Sequence, residues 1–251
     1  MINQISFSIV TVTLNARKEL IKTINSIQEQ SYPYYSHIIK DGNSKDKTNK
    51  LNFSKYKKIK FFESKDKGVY DAMNQAFKFA ENEFIIFLNA GDFFLTKNSL
   101  EELALSIRKY PNYNSYSGGT LQINPKDQII KRKIGVGNLY KLLPLSQLPH
   151  PSFIMRKSIL SMLNNPFDAD LEISADYEQQ LTLRKKNLWK NFYLDQVITI
   201  MPIGGISTFD KKSIFKGFKE TFIFSYKKYK FLALYIIFIK IILNFYSRLK
   251  N

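Results

Sequence analysis

Strand-length apolar runs alternate with helical patterns over about the first ninety residues, and nothing else in the chain restricts its fold so strongly. Residues 5–14 (ISFSIVTVTL) form an apolar, β-branched run long enough for a buried strand. Asn15 ends it and is placed to cap the next element. Residues 17–30 then set Leu20, Ile21, Ile24 and Ile27 at helical spacing, with Pro33 beyond the end. Residues 35–40 read as a second strand, closed by the turn formers Asp41-Gly42-Asn43-Ser44. A short helix around residues 46–53 leads to a third strand at Ile59–Glu63. A helix from residue 69 to about 81 follows, with Ala72, Met73, Ala76, Phe77 and Ala80 on one face. Residues 83–89 are apolar almost throughout, as a central strand covered on both faces should be.

This order predicts parallel βαβ units and an open α/β sheet. Ligands of such sheets bind beyond the carboxyl ends of the strands. The loops there are residues 15–17, 41–46, 64–68 and 89–92, and three of the four carry aspartate. A nucleoside diphosphate sugar would suit them, because its diphosphate calls for charge neutralisation, commonly by Mg²⁺ or Mn²⁺, which prefer oxygen ligands. Asp41 is placed to accept from a base N–H and Asp92 to hold a metal. Asp66, Lys67 and Gly68 add an acid, a cation and a flexible backbone point at the third strand end. Taken singly, each aspartate reads first as a turn or helix cap. Their recurrence at successive strand ends is what points to a site.

Beyond a helix at residues 98–110 the rhythm changes. Residues 113–124 and 128–133 form a hairpin pattern around the turn Asn124-Pro125-Lys126-Asp127. A Pro/Leu-rich passage (139–151), a strand (152–156), a helix (174 to about 187) and two short strands (192–195 and 197–202) follow. Residues 1–209 therefore read as one domain with a mixed second half. Residues 210–251 form a helical appendage of different composition, in which Lys227, Lys228 and Lys230 precede FLALYIIFI. Its longest uncharged run is nine residues, against the roughly 20 that span a bilayer. At about 100° per residue, Lys230, Lys240, Asn244 and Arg248 fall on one side and a broad apolar face on the other. Such a helix fits an in-plane membrane anchor or a helix packed on protein.

Charge and cysteine content narrow the chemistry. The 251 residues carry 38 Lys+Arg against 21 Asp+Glu, a formal charge of +17. That excess points to a polyanionic neighbour: nucleic acid, nucleotide phosphates or an anionic membrane surface. Lys, Asn and Ile are abundant throughout, so composition can account for part of it. The absence of cysteine excludes disulfide scaffolds, thiolate zinc sites and thiol catalysis. Residues 1–6 lack a basic segment followed by an apolar run, so a cytoplasmic location is expected.

The segments TVTLNARKELIKTINSIQEQSYPYYSHIIKDGNSKDKT, DKGVYDAMNQAF and FIIFLNAGD together resemble the N-terminal half of bacterial family-2 glycosyltransferases, above all those of capsule, O-antigen and colanic-acid type. The resemblance spans residues 7–92, with a fainter extension over 149–207. It implies a GT-A fold and transfer of a sugar from a nucleotide donor with inversion, usually with Mg²⁺ or Mn²⁺. By position, Asp41 resembles the aspartate that contacts the donor base. Thr11 and Asn15 resemble residues lining the same pocket, and Asp46 a further aspartate of that loop. Gly68, Asp71 and Asn74 match the segment beside the donor. Asn89-Ala90-Gly91-Asp92 occupies the place of the Asp-x-Asp metal motif but departs from it. Asn89 stands for the first acid and Gly91 for the second, which leaves Asp92 as the charged ligand.

An inverting transfer needs a base for the acceptor hydroxyl. Ser174-Ala175-Asp176-Tyr177-Glu178 resembles the family's acidic motif at a helix start, with Asp176 at the base position. Without the resemblance, Asp176 reads first as a charge complementing a helix dipole. His150 precedes a strand and is a candidate for the diphosphate or acceptor, or a structural histidine. Gly205 belongs to a loop that resembles one near the donor, or to a plain turn. The expected function is transfer of a sugar from a nucleotide-diphosphate sugar to a saccharide or lipid-linked saccharide, peripherally on the inner face of the plasma membrane, in cell-surface polysaccharide synthesis. Two other classes compete. Nucleic-acid binding would explain the charge, but no helix-turn-helix, RNP or zinc pattern occurs, and bare aspartates at strand ends repel phosphates. A sugar nucleotidyltransferase would ordinarily carry a Gly-rich phosphate loop after the first strand, and TLNARKE has no glycine.

Overall fold

Phe7–Thr13 (β1) is buried at every residue, the environment its β-branched run requires. Arg17–Gln28 (α1), Tyr35–Asp41 (β2), Ile59–Glu63 (β3), Val69–Phe77 (α2) and Phe84–Phe87 (β4) complete the first half. The computed structural model described here covers residues 4–56, 58–204 and 211–249. The second half comprises Phe93–Phe94 (β5), Ser99–Lys109 (α3), Ser115–Ile123 (β6), Ile130–Ile134 (β7), Asn138–Leu142 (α4), Phe153–Arg156 (β8), Lys157–Leu160 (α5), Ala175–Lys185 (α6) and Asn191–Pro202 (β9). Lys211–Tyr229 (α7) and Leu232–Leu249 (α8) follow.

The strands form one mixed sheet in the order β3-β2-β1-β4-β8-β6-β9-β5, with β7 paired to β6. β3, β2, β1 and β4 are parallel, and the sense reverses where β8 joins β4. Successive residues along β1 and β4 face opposite layers, as strand geometry demands. Phe7, Ile9, Phe84 and Ile86 pack with Ile27 of α1 and with Leu100, Leu103 and Ile107 of α3. Val10, Val12, Ile85 and Phe87 pack under Ala72, Met73 and Ala76 of α2, in a core that also takes in Leu183 of α6 and Ile239 and Leu243 of α8. Each such Val, Ile, Leu, Phe or Met side chain contributes roughly 1.5–3 kcal/mol when fully buried.

Several elements depart from the pattern read in the sequence. The helix expected at 46–53 is two 3₁₀ turns, Thr48–Lys50 and Phe53–Lys55. Lys47 is left-handed (φ 65°) and Leu51 is extended, so the turns cannot join. α2 stops at Phe77, short of residue 81, because Phe79 and Ala80 close three-residue hydrogen bonds to Ala76 and Phe77. The two short strands at 192–195 and 197–202 are one, β9, whose register against β6 shifts around Gly119. β5 has two residues and carries no sequence signal.

The side of α8 that holds Lys240 and Asn244 faces protein. Lys240 Nζ donates to Thr221 Oγ1 at 2.7 Å, and Arg132 donates to Asn244 Oδ1 at 2.6 Å. The outward face is apolar: Phe231, Leu234, Phe238, Ile241, Phe245 and Leu249 are all exposed, Phe231 at 90%.

Thr11 is fully buried inside the sheet. Its hydroxyl donates to the Leu88 carbonyl at 2.7 Å. His37 Nε2, 2.9 Å from Thr11 Oγ1, must therefore be the protonated nitrogen, which leaves Nδ1 bare, buried and without a partner. Burial pushes His37 down from 6.5 to about 3. Because the folded value lies below the unfolded one, its contribution is present above pH 6.5 and is lost as pH falls towards 3. Between pH 6.5 and about 4, wild-type stability should fall more steeply than that of His37→Gln. The difference should approach about 1.4 kcal/mol per pH unit in chemical denaturation. Equal slopes would contradict a neutral buried ring.

Candidate active site

The carboxyl ends of β1 and β2 are tied into one cradle by short polar bonds. Asp41 Oδ2 accepts from Ser44 N at 2.8 Å and Oδ1 from Ser44 Oγ at 2.5 Å. Ser44 Oγ in turn accepts from Asn15 N at 2.7 Å, and Asn15 Oδ1 accepts from Lys45 N at 2.7 Å. Asp46 takes the N–H of Arg17 at 2.8 Å together with the hydroxyl and N–H of Thr48, which hold its carboxyl below the usual range. Asp41 is fully buried, so it shapes the cradle from beneath. Under the next loop, buried Lys40 pairs with Asp66. A Cβ on Gly42 would stand 2.8 Å from Asp66 Oδ2, so a larger residue there would displace that carboxylate. Gly68, at φ +143°, starts α2 in a conformation that favours glycine. Asp71 Oδ2 closes the first turn by accepting from Lys67 N at 2.9 Å. The Lys67 side chain is exposed beside it.

The turn after β4 forms the opposite wall. Asp92 N donates to Asn89 O at 2.9 Å, while Thr23 Oγ1 accepts from Gly91 N at 2.9 Å and donates to Asp92 O at 2.8 Å. Ala90 packs against Leu20, Ile24 and Ile39. Burial raises the Asp92 carboxyl to about 7, with a backbone bond from Asn89 opposing it. Two buried polar atoms at this end have no partner, Asn89 Oδ1 and Thr13 Oγ1. Among the described residues no group of three His, Cys, Asp or Glu converges. The Asp92 carboxylate and the unpartnered Asn89 oxygen nevertheless fit a hard cation that takes most of its shell from phosphate and water.

Asp176 occupies the first turn of α6. Its Oδ1 lies 3.4 Å from the hydroxyl of Tyr70, which donates chiefly to Ile173 O at 2.7 Å, and its Oδ2 accepts from Gln147 Nε2 at 3.3 Å. Both contacts are long, so the carboxylate keeps lone pairs for a further proton. Tyr70 lies in the first turn of α2, which begins at the cradle, so this hydroxyl joins the two halves of the site.

Two expected site residues stand elsewhere, and a third, His150, is enclosed within reach of the Asp176 charge. Thr11 belongs to the sheet interior with His37. Asn74 clamps a distant backbone: it donates to Phe167 O at 2.8 Å and accepts from Phe167 N at 3.0 Å. The His150 ring stacks on Phe87 at 5.5 Å and meets Phe167 edge-on at 5.5 Å, with Nε2 buried and unpartnered. Burial lowers its pKa, while the charge of Asp176 acts in the opposite direction. Gly205 lies outside the described residues. Sequence reasoning missed Thr23, Ser44, Tyr70 and Gln147. Ser44 left a trace there as a turn former, and Thr23 as a polar residue on the apolar face of α1.

Residues 8–162 match the family described as Glycosyl transferase family 2. A PGL/p-HBAD biosynthesis glycosyltransferase of Mycobacterium tuberculosis is 24% identical over 176 residues, 68% of this chain and 67% of the relative. The UDP-Glc:alpha-D-GlcNAc-diphosphoundecaprenol beta-1,3-glucosyltransferase WfgD of Escherichia coli is 23% identical over 190 residues, 72% of this chain and 70% of the relative. Among solved structures, Staphylococcus aureus TarS 1–349 superposes with a TM-score of 0.70 at 17% identity, covering 98% of this chain and 74% of that one. The mannosyltransferase PcManGT from Pyrobaculum calidifontis, in complex with GDP-Man and Mn²⁺, gives 0.65 at 14% identity, over 94% and 73%. These likenesses show the GT-A fold. With the family match covering more than half of its length, the chain belongs to glycosyl transferase family 2 and is a glycosyltransferase related to those of polysaccharide and glycolipid synthesis.

Proposed function

We propose that this glycosyltransferase moves a sugar, with inversion, from a nucleotide-diphosphate sugar to a hydroxyl of a lipid-linked saccharide in cell-surface polysaccharide synthesis. The observation that carries the reading is the position of Asp176, linked through Tyr70 to the helix that starts at the cradle. The loops at Asn15, Ser44 and Asp46 provide the floor for base and ribose, with Asp41 beneath them. Lys67 and the N–H groups at the start of α2 face the donor's negative charge. A divalent cation held by Asp92 and Asn89 would neutralise the leaving diphosphate. Asp176 takes the acceptor proton as the acceptor oxygen attacks the anomeric carbon. The carbon–oxygen bond to the diphosphate breaks on the opposite face, and the diphosphate leaves with the electron pair.

The donor is found by screening UDP-glucose, UDP-N-acetylglucosamine and GDP-mannose for thermal shift and nucleotide release with Mn²⁺. With the donor so found, Asp176→Asn should preserve nucleotide binding and lower turnover by about 10²–10⁴. A variant keeping more than a tenth of wild-type turnover would remove Asp176 from the base position.

The outward face of α8 supports a seat for the protein on an anionic membrane. Phe231, Leu234, Phe238, Ile241 and Phe245 form a continuous exposed stripe, and Lys212, Lys219, Lys227 and Lys230 lie exposed on and beside α7. By length and composition Leu232–Leu249 could also cross a bilayer. Its opposite face shares the domain core through Ile236, Ile239 and Leu243, which favours an in-plane seat on the inner leaflet. Replacing Phe231, Phe238 and Phe245 together by Ser should abolish flotation with phosphatidylglycerol vesicles and leave the donor-induced thermal shift unchanged. Added salt should weaken wild-type flotation. Equal flotation of the triple variant would contradict the seat.

A further inference from the structure

The inward face of the same hairpin bears on Asp176. Glu220 of α7 is 8% exposed and reaches the backbone that leads into α6. Its Oε1 accepts from Glu172 N at 3.0 Å, and its Oε2 accepts from Ile173 N and Ser174 N, each at 3.0 Å. Of these, the N–H of the N-cap residue Ser174 is one that a helix start leaves without a partner of its own. Ser174, the N-cap residue, does not supply a side-chain cap; its hydroxyl donates instead to the Gly217 carbonyl of α7 at 3.1 Å. The approach is close, since a Cβ on Gly217 would stand 3.0 Å from Ile173 Cγ2. The carbonyl of Ile173, whose N–H Glu220 holds, also receives the Tyr70 hydroxyl. One carboxylate thus anchors the strip of backbone from which Asp176 projects, and its bonds are charge-assisted.

A cation completes the arrangement. Lys240 of α8 sits over the rings of Tyr177 and Phe218, at 5.5 and 5.3 Å from their centroids, and donates to Thr221 Oγ1. Burial lowers its pKa to about 8, while the charges of Asp176 and Glu220 act in the opposite direction. Among the described residues Lys240 makes no direct ion pair, so the two carboxylates share its field.

We propose that Glu220 is a positioning residue for Asp176: the C-terminal hairpin folds back to hold residues 172–174 and so aims the carboxylate, with Lys240 as its counter-charge. The proposal rests on Asp176 being the base. The hairpin would then be part of the acceptor side of the active site as well as a membrane seat.

Glu220→Gln keeps the volume but turns an amide donor towards backbone donors. With the donor found in the screen above, kcat should fall about tenfold or more, and donor KM and nucleotide affinity should stay within about twofold. In an Asp176→Asn background the same change should alter the residual rate by less than about twofold, since there is no base left to aim. A kcat loss of the same size in that background, or an unchanged kcat beside an inactive Asp176→Asn, would overturn the positioning role alone. Asp176→Asn retaining more than a tenth of the rate would overturn the base reading instead.

Lys240→Met leaves the three bonds of Glu220 in place and serves if Glu220→Gln does not fold. The titratable groups facing Asp176 are Tyr70 of α2, His150, Tyr177 of α6, Glu220 of α7 and Lys240 of α8. Lys240 is the cation among them. Its removal should lower kcat, with donor KM and nucleotide affinity unchanged. An unchanged kcat would contradict the shared counter-charge.

Discussion

Everything at the candidate site depends on β1 lying between β2 and β4. From β1 the chain winds outward through β2 to β3 and then crosses back to β4, so the loops after β1 and β4 open on one crevice. That order leaves seven consecutive residues of β1 buried, and only a β-branched apolar run tolerates such a place. It also brings Thr13, Asp41 and the turn at Asn89–Asp92 to the same end of the sheet. The unpartnered oxygens of Thr13 and Asn89 lie there, in a region where buried polar groups ordinarily find partners. A polar ligand would satisfy them.

The reversal of sense at β8 makes the second half possible. Once β8 runs antiparallel to β4, the segment after it returns across the sheet and delivers α6 beside α2. Asp176 and Tyr70 meet because of that return, although 106 residues separate them. The C-terminal hairpin then packs on α6: Phe224 and Ile236 join Tyr177 and Leu181, and Lys228 pairs with Glu178 at 2.7 Å. Exposed aromatic residues lie on the outer face of the hairpin, and buried polar groups on the inner one.

The parallel half was legible because its signals are local. Apolar runs, the turn Asp41-Gly42-Asn43-Ser44 and Pro33 punctuate elements whose bounds fall within a few residues of those read, and Ile59–Glu63 matches outright. The placement of Asp92 at a strand end was legible for the same reason. Side-chain partners were not. Asn74 bonds to Phe167 across 93 residues, and nothing in DAMNQAF distinguishes that bond from a donor contact. Thr11 and His150 look polar in one dimension and are enclosed in three, by Leu88 and His37 in one case and by Phe87 and Phe167 in the other. The inward turn of Lys240 ran against its amphipathic pattern, because α6 supplies rings and carboxylates that a helical wheel cannot include.

The measurement that bears most directly on this account is a crystal structure of the protein grown with Mn²⁺ and either UDP or GDP. The account predicts the base over the loops of Asn15 and Ser44, the diphosphate and cation against Asp92 and Asn89, and the open end of the diphosphate directed towards Asp176. A nucleotide bound away from the carboxyl ends of β1, β2 and β4, or a diphosphate directed away from Asp176, would contradict it.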